Sequence, residues 1–134
     1  MLNSLSFHHI GLLVPSIEDA LEYYGVLFGR DNISKSIFVS SQSVNVCFIK
    51  IGEQSYIELI SPVGAESVVV KLLKKGVRYY HIGYRVKNIE KVVKELEYLD
   101  FKSLEYFQSE AFSNRRCIFL FSPDTSLIEL IEDI

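Results

Sequence analysis

The chain has 134 residues, of which 49% are hydrophobic and 23% charged, and a formal net charge of −3. That is enough apolar side chain for a single buried core, read as one domain over 1–134, and the charge content is that of a globular chain rather than a disordered one. The acidic balance, with Lys74–Lys75 and Arg115–Arg116 the only adjacent basic pairs, disfavours a nucleic-acid partner, and no apolar run approaches the ~20 residues of a membrane span, so the expectation is a cytoplasmic protein that binds neither.

Residues 8–14 form an apolar, β-branched and aromatic run of strand length. Ser16 then stands at an N-cap position before Ile17, Ala20, Leu21, Tyr24 and Phe28, which fall at helical spacing. Three strand-like runs follow, at about 34–40, 44–51 and 54–61, and residues 66–75 read as a short helix closed by Gly76 at the C′ position. A second strand is predicted over 80–86. Asn88 caps a second amphipathic stretch with Ile89, Val92, Val93, Leu96 and Leu99, and strand-like runs at about 102–108, 115–122 and 126–132 complete the chain. Cys47 and Cys117 lie inside apolar runs without a CxxC pattern and read as buried reduced thiols.

The second half of this order repeats the first. HHIGLLVPSIEDALEYYGVLFG (8–29) aligns with YHIGYRVKNIEKVVKELEYLDF (80–101) at an offset of 72, matching His9 with His81, Gly11 with Gly83 and Val14 with Val86. YIELISP (56–62) recurs as LIELIED (127–133), matching Glu58 with Glu129. The spacing predicts an α+β fold of two tandem βαβββ modules, about 6–62 and 78–133. They join in one cup-shaped mixed sheet around a metal site, with the helices outside.

Four residues stand where a core would not choose them. Strand alternation turns His9 and His81 into the cup, opposite Ile10 and Ile82, and turns Glu58 and Glu129 away from Ile57, Leu59, Ile128 and Leu130. A carboxylate in an apolar strand costs several kcal/mol unless paired, protonated or metal-bound. Two imidazoles and two carboxylates brought together by the repeat neutralise a divalent cation and leave coordination positions open. The expected ligands are therefore His9, Glu58, His81 and Glu129, with one divalent ion per chain. Gly11 and Gly83 remove bulk beside each imidazole and are read as leaving space for a ligand. By the same alternation His8 belongs on the helix side, as a structural or surface residue. Arg85 shares the parity of His81, which suits it either to anchor a substrate carboxylate or to form a rim ion pair. Arg115 and Arg116 suit either a phosphate or a solvated loop.

Paired βαβββ modules with His-Ile-Gly strands and Ile-Glu-Leu strands resemble the vicinal oxygen chelate superfamily, which includes glyoxalase I, methylmalonyl-CoA epimerase, extradiol dioxygenases and bleomycin-resistance proteins. The resemblance runs from Phe7 to Glu132. Within it, YIELISPVGAESVVVKLLKKG (56–76) is similar to the epimerase-type stretch of ligand strand, Pro, Ser and short helix ending in Lys-Gly. The Asn-Trp-Gly turn of glyoxalase I is absent. So is the second acidic residue that epimerases carry before the strand at 44–51, where this chain reads Ser40-Ser41-Gln42-Ser43. The chain also has Ser122-Pro123-Asp124 for the epimerase His-Pro-Lys, and Tyr-His for His-His at 80–81.

The resemblance implies a metal-dependent isomerase, epimerase or lyase. Such an enzyme abstracts a proton beside a metal-chelated carbonyl, with Glu129 as base and Glu58 as its pseudosymmetric counterpart. The metal would be Zn, Ni, Co or Mn. The substrate would be a small molecule with two neighbouring oxygens, thioesters included, and the assembly a homodimer. The alternatives are lactoylglutathione lyase activity and a non-catalytic binding protein of the bleomycin-resistance type.

Overall fold

The computed structural model describes residues 5–124 and 126–133. Strand β1 (Ser6–Leu13) leads through Ser16, whose Oγ accepts the Asp19 N–H at 3.2 Å, into helix α1 (Ile17–Phe28). Strands β2 (Ile37–Val39), β3 (Val44–Lys50) and β4 (Tyr56–Pro62) follow, then the short helix α2 (Val68–Lys74), closed by Gly76 at φ 82°. The order then recurs. Strand β5 (Tyr79–Val86) precedes helix α3 (Ile89–Tyr98), whose Lys91 N–H is accepted by the Asn88 side chain. After α3 come β6 (Lys102–Ser103), β7 (Phe107–Ser109), β8 (Arg115–Phe121) and β9 (Leu127–Glu132). The run predicted at 102–108 is thus two short strands that follow one another along the same edge of β8, both antiparallel to it, with the register shifted by one residue between them.

All nine strands belong to one mixed sheet in the order β2-β3-β4-β1-β5-β9-β8-β6, with β7 also on β8. The two halves meet at its centre, where β1 runs antiparallel to β5, and each first strand is parallel to its own last strand, β1 to β4 and β5 to β9. The sheet curls into a cup with α1 and α3 on its back. Beneath α1 lie Cys47, Ile49 and Leu59, and beneath α3 lie Ile118, Leu120 and Leu130. Helix α2 takes the other side: Val69 packs with Val44, Val46 and Ile60, on the face that also carries Glu58. The ends of the curl touch. From the turn after β2, Ser40 Oγ donates to Glu110 Oε2 in the turn after β7 at 2.7 Å, and Ser41 Oγ donates to the carbonyl of Gln108 in β7 at 3.2 Å. Both cysteines are buried and free, as expected.

Alternation is broken twice at the centre. Between β1 and β5 the register pairs Phe7 with Tyr84 but His9 with Gly83, and Gly11 with His81 but Leu12 with Tyr79. His8 and Tyr80 are therefore the extra residues of two β-bulges, at equivalent positions of the repeat. A bulge turns its extra residue toward the same face as the next one. The expectation that His8 faces the helix side is corrected accordingly, because strict alternation does not survive the register shift.

Candidate metal centre

The four residues singled out by the repeat converge on one point. His9 and His81 come from the adjacent central strands, Glu58 from β4 and Glu129 from β9, and all four are at most 4% exposed. His9 Nε2 lies 2.9 Å from His81 Nε2. Glu58 Oε1 is 3.3 Å from both nitrogens, and Glu129 Oε1 is 3.2 and 3.3 Å from them. One donor atom from each residue falls within 4.8 Å of the others. Ligand bonds of about 2.0–2.2 Å at tetrahedral or octahedral angles put neighbouring donors roughly 2.9–3.5 Å apart, so the spacing fits a single ion. Glu129 Oε1 is buried and, despite facing both imidazoles, makes no hydrogen bond of good geometry. An oxygen aimed at the same centre as two nitrogens but not along their N–H directions has a geometry that a metal ion could use.

Each half's glycine makes room for the other half's histidine. A Cβ on Gly83 would stand 2.1 Å from His9 Cε1, and one on Gly11 would stand 2.5 Å from His81 Cε1. The space the glycines were expected to leave for a ligand is filled by the imidazoles themselves, because β1 and β5 pair so that Gly83 faces His9 and Gly11 faces His81.

Electrostatics set the protonation of the cluster. Burial by itself would lower His9, but Glu58 and Glu129 outweigh it and raise its pKa from 6.5 to about 10. His81 is opposed by burial and raised by the same two carboxylates. Both glutamates resist the upward push of burial and are held below the ordinary carboxylate range by the imidazoles. Facing nitrogens 2.9 Å apart have room for one hydrogen between them. With His9 raised to about 10, the ion-free cluster keeps an extra proton on the imidazole pair at neutral pH.

The bulges bring two further residues to the site that alternation hid. His8 Nδ1 lies 2.9 Å from His9 Nδ1, and its ring stacks on Tyr56 at 4.9 Å and meets Phe48 and Phe112 edge-on. Burial, then the charges of His9 and Arg85, push His8 down to about 4, so at neutral pH it is free to accept the Nδ1–H of His9. His81 Nδ1 is buried without such a partner. Tyr80 faces the pocket beside His81, where burial, then Glu129 and Glu58, push its phenol up to about 12. Gln42, Phe119 and Val68 line the same pocket. The only sign of these residues in the sequence is that His8 and Tyr80 occupy matching repeat positions and are both aromatic.

Phe112 stacks on His9 with centroids 5.8 Å apart, so the His9 side is packed with rings while the His81 side opens to the pocket. Three arginines lie apart from this site. Arg85 donates to Gln54 Oε1 at 3.4 Å instead of lining the pocket. Arg115 pairs with Asp133 at 3.3 Å, and Arg116 with Glu132 and Glu90 at 2.6 and 2.8 Å, so neither guanidinium is a free phosphate contact.

His81→Ala is expected to lower metal affinity by more than about 100-fold, since it removes a ligand outright. His8→Ala, which removes only the bond orienting His9, should cost about 10–100-fold. Titration of the metal-free variants with Zn²⁺ checks both. Undiminished affinity in His8→Ala would mean that the bulge contact does not orient the ligand.

Among the described residues no helix is long and apolar enough to cross a membrane. The family model for the glyoxalase/bleomycin resistance protein/dioxygenase superfamily matches residues 8–121. A search of curated proteins gives no match. Among solved structures, methylmalonyl-CoA epimerase from Mycobacterium tuberculosis superposes with a TM-score of 0.86 at 20% identity, covering 100% of this chain and 92% of that one. A variant of the Streptomyces coelicolor epimerase in complex with 2-nitronate-propionyl-CoA gives 0.85 at 23% identity, covering 97% and 96%. A hypothetical protein from Bacillus halodurans C-125 gives 0.80 at 30% identity, covering 98% and 96%. The first two are likenesses of fold. Together with the family model and the 30% identical chain, the paired modules meeting on a buried His-Glu-His-Glu cluster make this protein a member of the glyoxalase/bleomycin resistance protein/dioxygenase superfamily, the vicinal oxygen chelate group.

Proposed function

We propose that the protein is a divalent-metal-dependent isomerase or lyase of the epimerase type, acting on a small substrate that carries a carbonyl beside an acidic C–H. The carrying observation is the convergence of His9, His81, Glu58 and Glu129 at ligand spacing in a buried pocket. His9 and His81 would hold the ion through Nε2, and Glu58 and Glu129 through one oxygen each. When bound, the ion supplies Lewis acidity toward two neighbouring substrate oxygens.

The chain's own residues would do the rest. Glu129 accepts the proton from the carbon next to the carbonyl and returns it. Its carboxylate is ionised at neutral pH because the imidazoles hold its pKa down. Glu58 stands on the opposite side of the imidazole pair as the group that serves the second face in an epimerisation. Gln42 lines the pocket in the segment where epimerases carry their second acid, and among the described residues Glu58 and Glu129 are the only carboxylates in its wall. Tyr80 keeps its proton and offers a phenolic donor, while Phe119, Val46 and Ile60 exclude water. A thioester beside an acidic carbon, as in the methylmalonyl-CoA and nitronate-propionyl-CoA complexes of the fold relatives, has the required oxygens. The complete donor set argues against a role in binding alone.

Purified protein should carry close to one divalent ion per chain by elemental analysis and should exchange the acidic hydrogen of a thioester or 2-hydroxy carbonyl substrate with solvent deuterium. Metal-loaded protein that exchanges no hydrogen with any such compound would favour the binding-only alternative. Loading at pH 7 should release about one proton per ion, the one held on the imidazole pair. Calorimetry in buffers of different ionisation enthalpy reads this directly. Because the ion displaces a proton, affinity should rise about tenfold per pH unit from 6.5 toward the raised His9 value of about 10.

A further inference from the structure

The pocket onto which Glu58, His81 and Glu129 open has a volume of about 30 Å³. That is room for on the order of two water-sized atoms, enough for a chelating head and for nothing attached to it. A second cavity of about 440 Å³ adjoins it, and the two share Gln42, Val68, Tyr80 and Phe119 as a common wall. The larger cavity is completed by Leu72 and Val77 from α2 and the turn after it, Leu104 from the link between β6 and β7, Phe121 and Leu127 at the ends of β8 and β9, and the hydroxyl-bearing Tyr79 and Ser126. Among the described residues no charged side chain lines it. At its rim Val68, Leu104 and Phe121 are 57%, 49% and 41% exposed, so apolar surface is left in water beside the site.

We infer that this cavity is the tail subsite of the metal centre: the substrate carries its chelating oxygens on an uncharged, apolar aliphatic or aromatic tail that lies between α2 and the ends of β8 and β9. The inference rests on the metal-dependent reading above and sharpens its substrate class. Three observations carry it. The head pocket cannot hold a whole substrate. The wall it shares with the larger cavity is apolar apart from the Gln42 amide and the Tyr80 hydroxyl. The opposite, His9 side is packed with the rings of Phe48, Tyr56 and Phe112. Closing the exposed apolar rim over a tail removes its surface from water, which favours tight binding of apolar over charged tails.

Hydroxamates present two neighbouring oxygens on tails of chosen length and serve as probes. On Zn²⁺-loaded protein, octanohydroxamate should bind at least about 30-fold more tightly than acetohydroxamate, because each added methylene leaves water. Leu104→Asp, at a half-exposed position outside the ligand set, should cut octanohydroxamate affinity about tenfold and leave acetohydroxamate unchanged. A parallel titration of metal-free protein with octanamide should shift the methyl resonances of Leu72, Leu104 and Leu127. Equal affinity for the two hydroxamates, or an unaffected Leu104→Asp, would overturn the inference while leaving the metal site standing. A rim covered by a second copy of the chain would be seen as a Leu104→Asp change in oligomeric state without a tail-length effect, and this too overturns it. Failure of both hydroxamates to bind would count against the metal-dependent reading, and the octanamide shifts would then decide the cavity on their own.

Discussion

Glu129→Gln is expected to retain bound metal and to lose proton transfer by about 10²–10⁴-fold, the usual contribution of a positioned base. An amide oxygen still coordinates, though more weakly than a carboxylate, and it cannot accept a proton at neutral pH. The native carboxylate is ionised there because His9 and His81, at 3.2 and 3.3 Å, hold its pKa below the ordinary range despite burial. The measurement is deuterium wash-in at the acidic carbon of a chelating substrate, with metal content determined on the same sample. Glu58→Gln supplies the comparison. A milder loss there means one base, and an equal loss means that the two carboxylates divide the two faces of an epimerisation. Wild-type exchange in metal-loaded Glu129→Gln would reduce Glu129 to a ligand.

Gly83→Ala should abolish metal binding as completely as loss of a ligand, although the glycine touches no ion. The added methyl would sit 2.1 Å from Cε1 and 2.5 Å from both ring nitrogens of His9. His9 is fully buried between β4 and β5 and has Phe112 stacked on its ring, so it has nowhere to move. Overpacking of this kind costs about 1–3 kcal/mol of stability in addition. Gly25→Ala, inside α1, is the control. Its methyl would meet only the flexible Arg30 side chain at 3.4 Å, and the helix gains up to about 1 kcal/mol from the exchange. Thermal melts and Zn²⁺ titrations of the two variants should therefore diverge in both readouts. Normal metal affinity in Gly83→Ala would show that the imidazole can leave its seat without cost.

Much of this architecture was legible in the residues because it is written twice. The offset of 72 pairs His9 with His81, and the recurring Ile-Glu-Leu pairs Glu58 with Glu129, so two strands and two candidate ligands support each other in each half. The N-caps Ser16 and Asn88 were legible for a local reason: a side-chain oxygen three residues before a free N–H is a short-range geometry. What alternation could not reveal was a break in alternation. The bulges at His8 and Tyr80 arise from the register of β1 against β5, a long-range pairing that neither strand's own pattern records. For the same reason the glycines were read as space for a ligand, when each seats the imidazole of the other half. Helix α2 was legible as a helix, but its place on the cup side, walling the apolar cavity, depends on how the chain crosses from β4 to β5. Arg85, Arg115 and Arg116 were ambiguous on paper because a cation's partner is a matter of tertiary geometry.

The lengths of the strands carry one more consequence. The six central strands have six to eight residues each, whereas the outer strands β2, β6 and β7 have two or three. An unpaired sheet edge is a template on which another chain can lay a strand, and duplicated modules that fuse edge to edge could in principle add a third copy and a fourth. Here one margin is the three-residue β2, the other is broken into β6 and β7 with a register shift between them along β8, and the segments at β2 and β7 are tied to each other through Ser40, Ser41, Gln108 and Glu110. The duplication is thereby self-limiting. Among the described residues the sheet offers no long regular edge on which another chain could pair, and cutting the Ser40–Glu110 tie is expected to make both margins more prone to such pairing.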